Sequence, residues 1–138
     1  MRIALVGAGI IGTAHAGRLA ALDEVESLLI ADKDEEKAAA VASQVAKATP
    51  GSVDDAFKDG ISGVVITTNA IFHAPLIHRA LDAGIPVFTE KPVAPDVAAT
   101  REVVAHSKRV PDVPVQVGFQ RRFNPGYRRA REAYRSGE

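Results

Sequence analysis

The sequence contains no cysteine. That excludes a disulfide framework and thiolate metal sites, and it fits a reducing compartment, so the expected setting is the cytoplasm. A net charge is missing too: 17 Lys and Arg stand against 17 Asp and Glu, leaving no overall field to recruit nucleic acid or an anionic membrane. No apolar run reaches the roughly 18 residues of a membrane-spanning helix. Close to Met1, the glycines and Thr13-Ala14-His15 interrupt any signal-peptide core. No internal repeat is visible, and no low-complexity tract beyond a mild alanine bias. Paired carboxylates, a Ser-His-Asp set and a P-loop are all lacking. His73 and His78 are five positions apart, not the three or four of a helical metal pair, so no metal site is expected.

What is there reads as one globular domain. The 138 residues are 46% hydrophobic and 25% charged, enough for a real core. The organising stretch is Ile3-Ala4-Leu5-Val6 followed by Gly7-Ala8-Gly9-Ile10-Ile11-Gly12 and a helical pattern from Thr13. An apolar strand, a glycine turn and a helix in immediate succession form the G-x-G-x-x-G arrangement. In it Gly7 permits the turn, Gly9 leaves the backbone open to a diphosphate, and Gly12 lets helix and strand close up. The helix N-terminus adds unpaired N–H groups and a partial positive charge. A second apolar run, Leu28-Leu29-Ile30-Ala31, ends in Asp32, whose carboxylate can accept from an adenosine ribose.

Helix and strand patterns then alternate. Strands are expected at Glu26 to Ala31, weakly at Ala46 to Ala48, at Gly63 to Thr67, at Pro86 to Thr89 and at Val115 to Phe119. Helices are expected at Ile10 to Leu22, from Asp34 onward, at Ile71 to Ala83, from Pro95 to Lys108, and at Asn124-Pro125 to Ser136, with Gly137 as the stop. Thr49-Pro50-Gly51 is expected to end the weak strand, and Ser52 with Asp55 forms an imperfect capping box. This alternation predicts an α/β fold, a doubly wound parallel sheet of the Rossmann type in the order 3-2-1-4-5-6. Gly7 to Gly12, Asp32, Thr67 to Asn69, Glu90-Lys91-Pro92 and Gln120-Arg121 would then share the carboxyl rim. Thr68 and Asn69 are either cofactor contacts or ordinary strand-end turn chemistry. Arg121 and Arg122 either reach a ligand or belong to a solvated basic face. The stretch Arg121 to Arg135 holds six arginines against one Glu, which reads as a helix face and not as a nucleic-acid patch. His15 reads as a surface or packing residue, with cofactor contact as the alternative.

Five pieces together resemble the glucose–fructose oxidoreductase / inositol dehydrogenase / rhizopine catabolism (Gfo/Idh/MocA) family. They are Val6 to Gly12, Ile30-Ala31-Asp32, Thr67-Thr68-Asn69 with His73, Val87-Phe88-Thr89-Glu90-Lys91-Pro92, and Val117-Gly118-Phe119-Gln120-Arg121-Arg122-Phe123. The last piece looks most like inositol 2-dehydrogenases. The resemblance implies NAD, with NADP the lesser alternative because Asp32 would repel a 2′-phosphate; Lys33 beside it softens that preference. It implies a sugar, inositol or related polyol as substrate, no nucleic-acid or membrane partner, and leaves a homo-oligomer open. It implies that Lys91 is catalytic beside the nicotinamide, with Glu90 orienting it and Pro92 stiffening the loop. The cofactor-binding set it implies is Gly7, Gly9, Ile10, Ile11, Gly12, Asp32, Lys33, Thr67, Thr68, Asn69, His73, Glu90, Lys91 and Arg121. Family members run to well over twice this length and carry a second α/β domain with a D-x-x-x-H pattern, which is not found here. The chain is therefore expected to be an N-terminal half: residues 1–119 as the dinucleotide-binding domain and 120–138 as a connecting helix, catalytically incomplete alone. A stand-alone nucleotide-binding or sensing module, and a different Rossmann ligand such as FAD or S-adenosylmethionine, are the alternatives.

Overall fold

A computed structural model describes residues 1–137. Six strands, β1 (Arg2–Val6), β2 (Ser27–Ala31), β3 (Ala48–Gly51), β4 (Gly63–Ile66), β5 (Val87–Thr89) and β6 (Val115–Val117), form one parallel sheet in the order β3-β2-β1-β4-β5-β6. The expected doubly wound order is the observed one. Five helices accompany it: α1 (Ile10–Ala20), α2 (Glu35–Ala42), α3 (His73–Asp82), α4 (Val97–Arg109) and α5 (Pro125–Ser136).

Alternation within the central strands sends side chains into two cores. Leu5, Leu28 and Ile30 pack with Ala16 of α1 and with Ala38 and Val41 of α2. Ala4, Val6, Val64, Ile66 and Val87 pack on the other face with Leu76, Ile77, Ala80 and Leu81 of α3 and Val103 of α4. Each fully buried Leu or Ile contributes about 1.5–3 kcal/mol, so the sheet is held from both sides along β1, β2 and β4. Over β5 and β6 the α1 face is thinner. There Phe88 is only half-buried and Gln116 is exposed.

Local chemistry sets most ends. Asp34 accepts from Lys37 N at 3.3 Å to start α2, and Asn124 accepts from Gly126 N at 2.9 Å to start α5. Gly137 closes α5 in the left-handed region at φ +81°. Ser52 and Asp55 form a reciprocal box: Asp55 N donates to Ser52 Oγ at 3.2 Å, and Ser52 N donates to Asp55 Oδ2 at 2.9 Å.

Strand and helix ends shift by a residue or two in several places, among them β6, which ends at Val117, and α1, which ends at Ala20; three further differences have a local cause. β3 runs through Thr49-Pro50-Gly51 instead of ending before them. It is an edge strand, where a missing N–H leaves no unpaired partner inside the sheet. α4 is capped by Asp96, which accepts from Ala99 N at 2.9 Å, so Pro95 precedes the helix. α3 begins at His73 after a 3-10 turn over Ala70–Phe72. That start places Pro75 in the first helical turn, where a backbone donor has no acceptor anyway.

Candidate cofactor-binding site

The register aligns the strand ends in one row: Val6 opposite Ala31 and Ile66, Ile66 opposite Thr89, and Thr89 opposite Val117. The next residue of each strand is hydrogen-bonded across the row. Gly7 N donates to Ala31 O, Thr67 N to Val6 O and Gly118 N to Thr89 O, each at 2.8 Å, and Glu90 N donates to Ile66 O at 2.9 Å. The glycine turn, Asp32, the Thr67–Asn69 loop and Glu90-Lys91-Pro92 therefore leave the sheet at one rim.

The three motif glycines meet different surroundings. Gly7 has φ +109°, and a Cβ there would stand 2.7 Å from the Thr67 carbonyl carbon. A Cβ on Gly12 would overlap the Gly7 carbonyl oxygen. Gly9 is exposed, and a Cβ there would meet nothing within 4 Å. Two glycines are thus required by the chain itself, and the third leaves an open cradle. No side chain caps α1, whose first N–H groups face that cradle. Ile10 is 90% exposed at the same end, an apolar side chain with no protein partner over it.

Asp32 is half-buried and fastened by both oxygens. Ala8 N donates to Oδ2 at 2.7 Å and Asp34 N to Oδ1 at 3.0 Å. Each oxygen keeps a further lone pair, so acceptor capacity for a ribose diol remains. Lys33, Ile11, Asn69 and Lys91 are exposed on the rim. Asn69 Oδ1 accepts from Ile71 N at 3.3 Å, and the half-buried Thr68 donates its hydroxyl to Asn69 O at 3.3 Å. Arg121 is exposed in the 3-10 turn after β6, its guanidinium carbon 5.4 Å from the Tyr127 ring centroid.

Three expected contacts are turned differently. Thr67 is buried, and its hydroxyl donates to Gly7 O at 2.8 Å, so it braces the glycine turn from behind. His73 is 1% exposed, with Nδ1 2.6 Å from Pro92 O and Nε2 3.0 Å from Thr68 O. Both its nitrogens face main-chain carbonyl oxygens, between the loops after β4 and β5, and neither is turned to the open rim. Glu90 does not pair with Lys91. Its Oε1 lies 3.0 Å from His15 Nε2, and among the described residues Lys91 takes part in no ion pair. His15 is thus a residue of the site that the sequence reading set aside. Its only signal was a place one turn beyond Gly12 on the rim-facing helix.

Beside this pair a cavity of about 310 Å³ opens between α1 and the ends of β5 and β6, lined by Ile11, His15, Phe88, Glu90 and Gly118. A larger groove, about 570 Å³, follows α4 from Pro95 to Lys108 and holds none of these groups. Among the described residues no three His, Asp or Glu are grouped to hold a metal ion, and no helix is long and apolar enough to cross a membrane.

A glycine cradle at an uncapped helix end, a carboxylate after the next strand and a parallel sheet whose order reverses between β1 and β4 define a dinucleotide-binding α/β domain. Comparison with known proteins agrees. Residues 1–119 match the model of the GFO_IDH_MocA oxidoreductase family, NAD-binding Rossmann fold, and the chain belongs to that family. Inositol 2-dehydrogenase of Corynebacterium glutamicum (strain R) is 32% identical over 141 residues, covering 100% of this chain and 42% of that protein. The crystal structure of scyllo-inositol dehydrogenase from Lactobacillus casei, with bound NAD(H) and scyllo-inositol, superposes with a TM-score of 0.87 at 27% identity, over 99% of this chain and 41% of that one. Myo-inositol 2-dehydrogenase from Lactobacillus plantarum gives a TM-score of 0.86 at 26% identity, over 99% and 41%. The chain spans about two-fifths of the length of these relatives.

Proposed function

We propose that this chain is the cofactor-binding part of an oxidoreductase that moves hydride between NAD and a carbinol carbon of an inositol, sugar or related polyol. The observation that carries the reading is the open space at Gly9 before an uncapped helix end, with the Asp32 carboxylate tied to the same turn. Main chain at Gly9 and the first turn of α1 would hold the diphosphate, and Asp32 would accept from the ribose hydroxyls. A fixed carboxylate repels a 2′-phosphate, which favours NAD over NADP. When bound, NAD supplies the hydride acceptor, C4 of its ring. Lys91 is an exposed cation on that rim, at the end of β5, and the residue assigned to catalysis. Its side chain would hold the substrate oxygen and accept the hydroxyl proton as the carbinol carbon gives up hydride, returning that proton in the reverse direction. Thr67 and His73 act behind the rim by holding the turn and the Lys91 loop.

Residues 1–119 are the binding domain in this reading, and 120–138 the connection to a substrate domain, with Glu138 outside the described residues. That domain would supply the remaining acid–base groups, so this chain alone binds cofactor without turning over polyol. A cytoplasmic setting belongs to the reading, and the cysteine-free sequence fits it. Calorimetric titration with NAD and NADP tests it: saturable NAD binding that Gly9→Ala abolishes is expected. Failure to bind either nucleotide would overturn the assignment. Polyol-dependent NADH production by the purified chain would overturn the catalytic incompleteness.

A further inference from the structure

The His15–Glu90 hydrogen bond joins two parts of the rim that contribute to different ends of a dinucleotide. His15 lies on α1, whose N-terminus carries the phosphate cradle. Glu90 immediately precedes Lys91. Its backbone is locked to the sheet through Glu90 N and Ile66 O at 2.9 Å, while its carboxylate crosses to α1 and not to its neighbour. Both side chains are only 21% exposed, so water competes weakly for the bond. Phe88 meets the His15 ring edge-on at 5.4 Å and 61°. Gly118, at the end of β6, leaves the slot in which Glu90 lies: a Cβ there would stand 3.3 Å from Glu90 Oε1 and 3.1 Å from Phe88 Cζ. The rest of α1 grips the sheet lightly, burying only Gly12 and Ala16. The helix is therefore set against β5 by this one polar contact and by the ring packing behind it.

We propose that His15 is a positioning residue for the nicotinamide end of the site. Its Nε2 donates to Glu90, holds the loop from Thr89 to Pro92 at a fixed distance from α1, and so keeps Lys91 in line with the diphosphate cradle. The proposal rests on the cofactor reading above and separates from it by experiment. The intact chain is titrated with NADH, which spans both ends of the site, and with ADP, which reaches only the cradle and Asp32. His15→Phe keeps the packing against Phe88 and removes the donor. It is expected to weaken NADH about tenfold, the scale of a lost hydrogen bond to a charged group, and to leave ADP within about twofold. His15→Gln, which returns an amide N–H near the Nε2 position, is expected to recover most of the NADH affinity, and thermal melting of both variants verifies their folding. Adding Glu90→Ala to His15→Phe is expected to change NADH by less than about twofold, because the pair acts as a unit. Unchanged NADH affinity in His15→Phe overturns the proposal, as does equal weakening of NADH and ADP, or His15→Gln binding no better than His15→Phe. If the wild-type chain binds neither NADH nor ADP, the cofactor reading itself fails and this role with it; wild-type binding with an unaffected His15→Phe removes the positioning role alone.

Discussion

Helices α3 and α5 are both amphipathic and meet opposite fates. Of the ten residues of α3, six are buried, among them Leu76, Ile77, Ala80 and Leu81. Of the twelve residues of α5, none is buried, and Tyr127 and Tyr134 are 52% and 86% exposed. The difference lies in composition and in connection: α3 carries Leu76, Ile77 and Leu81, whereas α5 carries four arginines and no Leu, Ile or Val. α3 joins β4 to β5, and a right-handed crossover between adjacent parallel strands presses its helix onto the sheet. No strand follows α5 among the described residues, so no crossover presses it anywhere. An amphipathic sequence defines a face; the topology decides whether that face is covered.

The contrast can be broken by substitution, beginning with the largest effect. Ile77→Ala, at a fully buried position, should destabilise the chain by about 2–5 kcal/mol in urea unfolding. A loss under 1 kcal/mol would mean α3 does not anchor the sheet. Gly12→Ala must push apart α1 and the Gly7 carbonyl and should cost about 1–3 kcal/mol. Gly9→Ala, with open space around it, should leave the unfolding midpoint in place and abolish nucleotide binding. Asn124→Ala removes the acceptor for two backbone N–H groups and should weaken α5 by about 1 kcal/mol, read as lost helical ellipticity with the main unfolding midpoint unmoved. Tyr134→Ala should change global stability by less than about 0.5 kcal/mol.

The smallest effect is a pH dependence at Asp55. The Lys58 ammonium, 2.6 Å away, together with the Ser52 hydroxyl and N–H, holds the Asp55 carboxyl well below its ordinary range. The folded chain therefore binds this proton less tightly than the unfolded chain does. The box contributes fully above the unfolded value of about 3.9, and its contribution is lost as pH falls further, through the folded value. The melting difference between wild type and Asp55→Asn should be constant from neutrality to about pH 5 and shrink below about pH 4. A difference that grows on acidification would show that the carboxylate is not the stabilising species.

Sheet order and rim were legible because they rest on short-range chemistry: glycines after an apolar run, Asp34 and Asn124 at helix starts, Gly137 at a helix end. The path of β3 was not, since Pro50 reads as a terminator unless its strand is known to lie at the edge. Thr67 and His73 were placed on the correct rim and misjudged in direction. Position in sequence tells that a residue follows a strand, and not whether its side chain turns toward solvent or back under the turn. The His15–Glu90 contact joins residues 75 positions apart, and nothing local marks either one for the other.

One carboxylate here carries two duties. Asp32 is the group that would recognise a ribose, and it is also the acceptor for Ala8 N inside the glycine turn. Retuning the domain toward a phosphorylated cofactor by replacing Asp32 with a basic or apolar residue would therefore strip an anchor from the very loop that would cradle the diphosphate. A workable exchange has to supply Ala8 with a new acceptor in the same step. Under that reading, nucleotide preference and loop rigidity would meet in one side chain, and an exchange at Asp32 has to be judged on both.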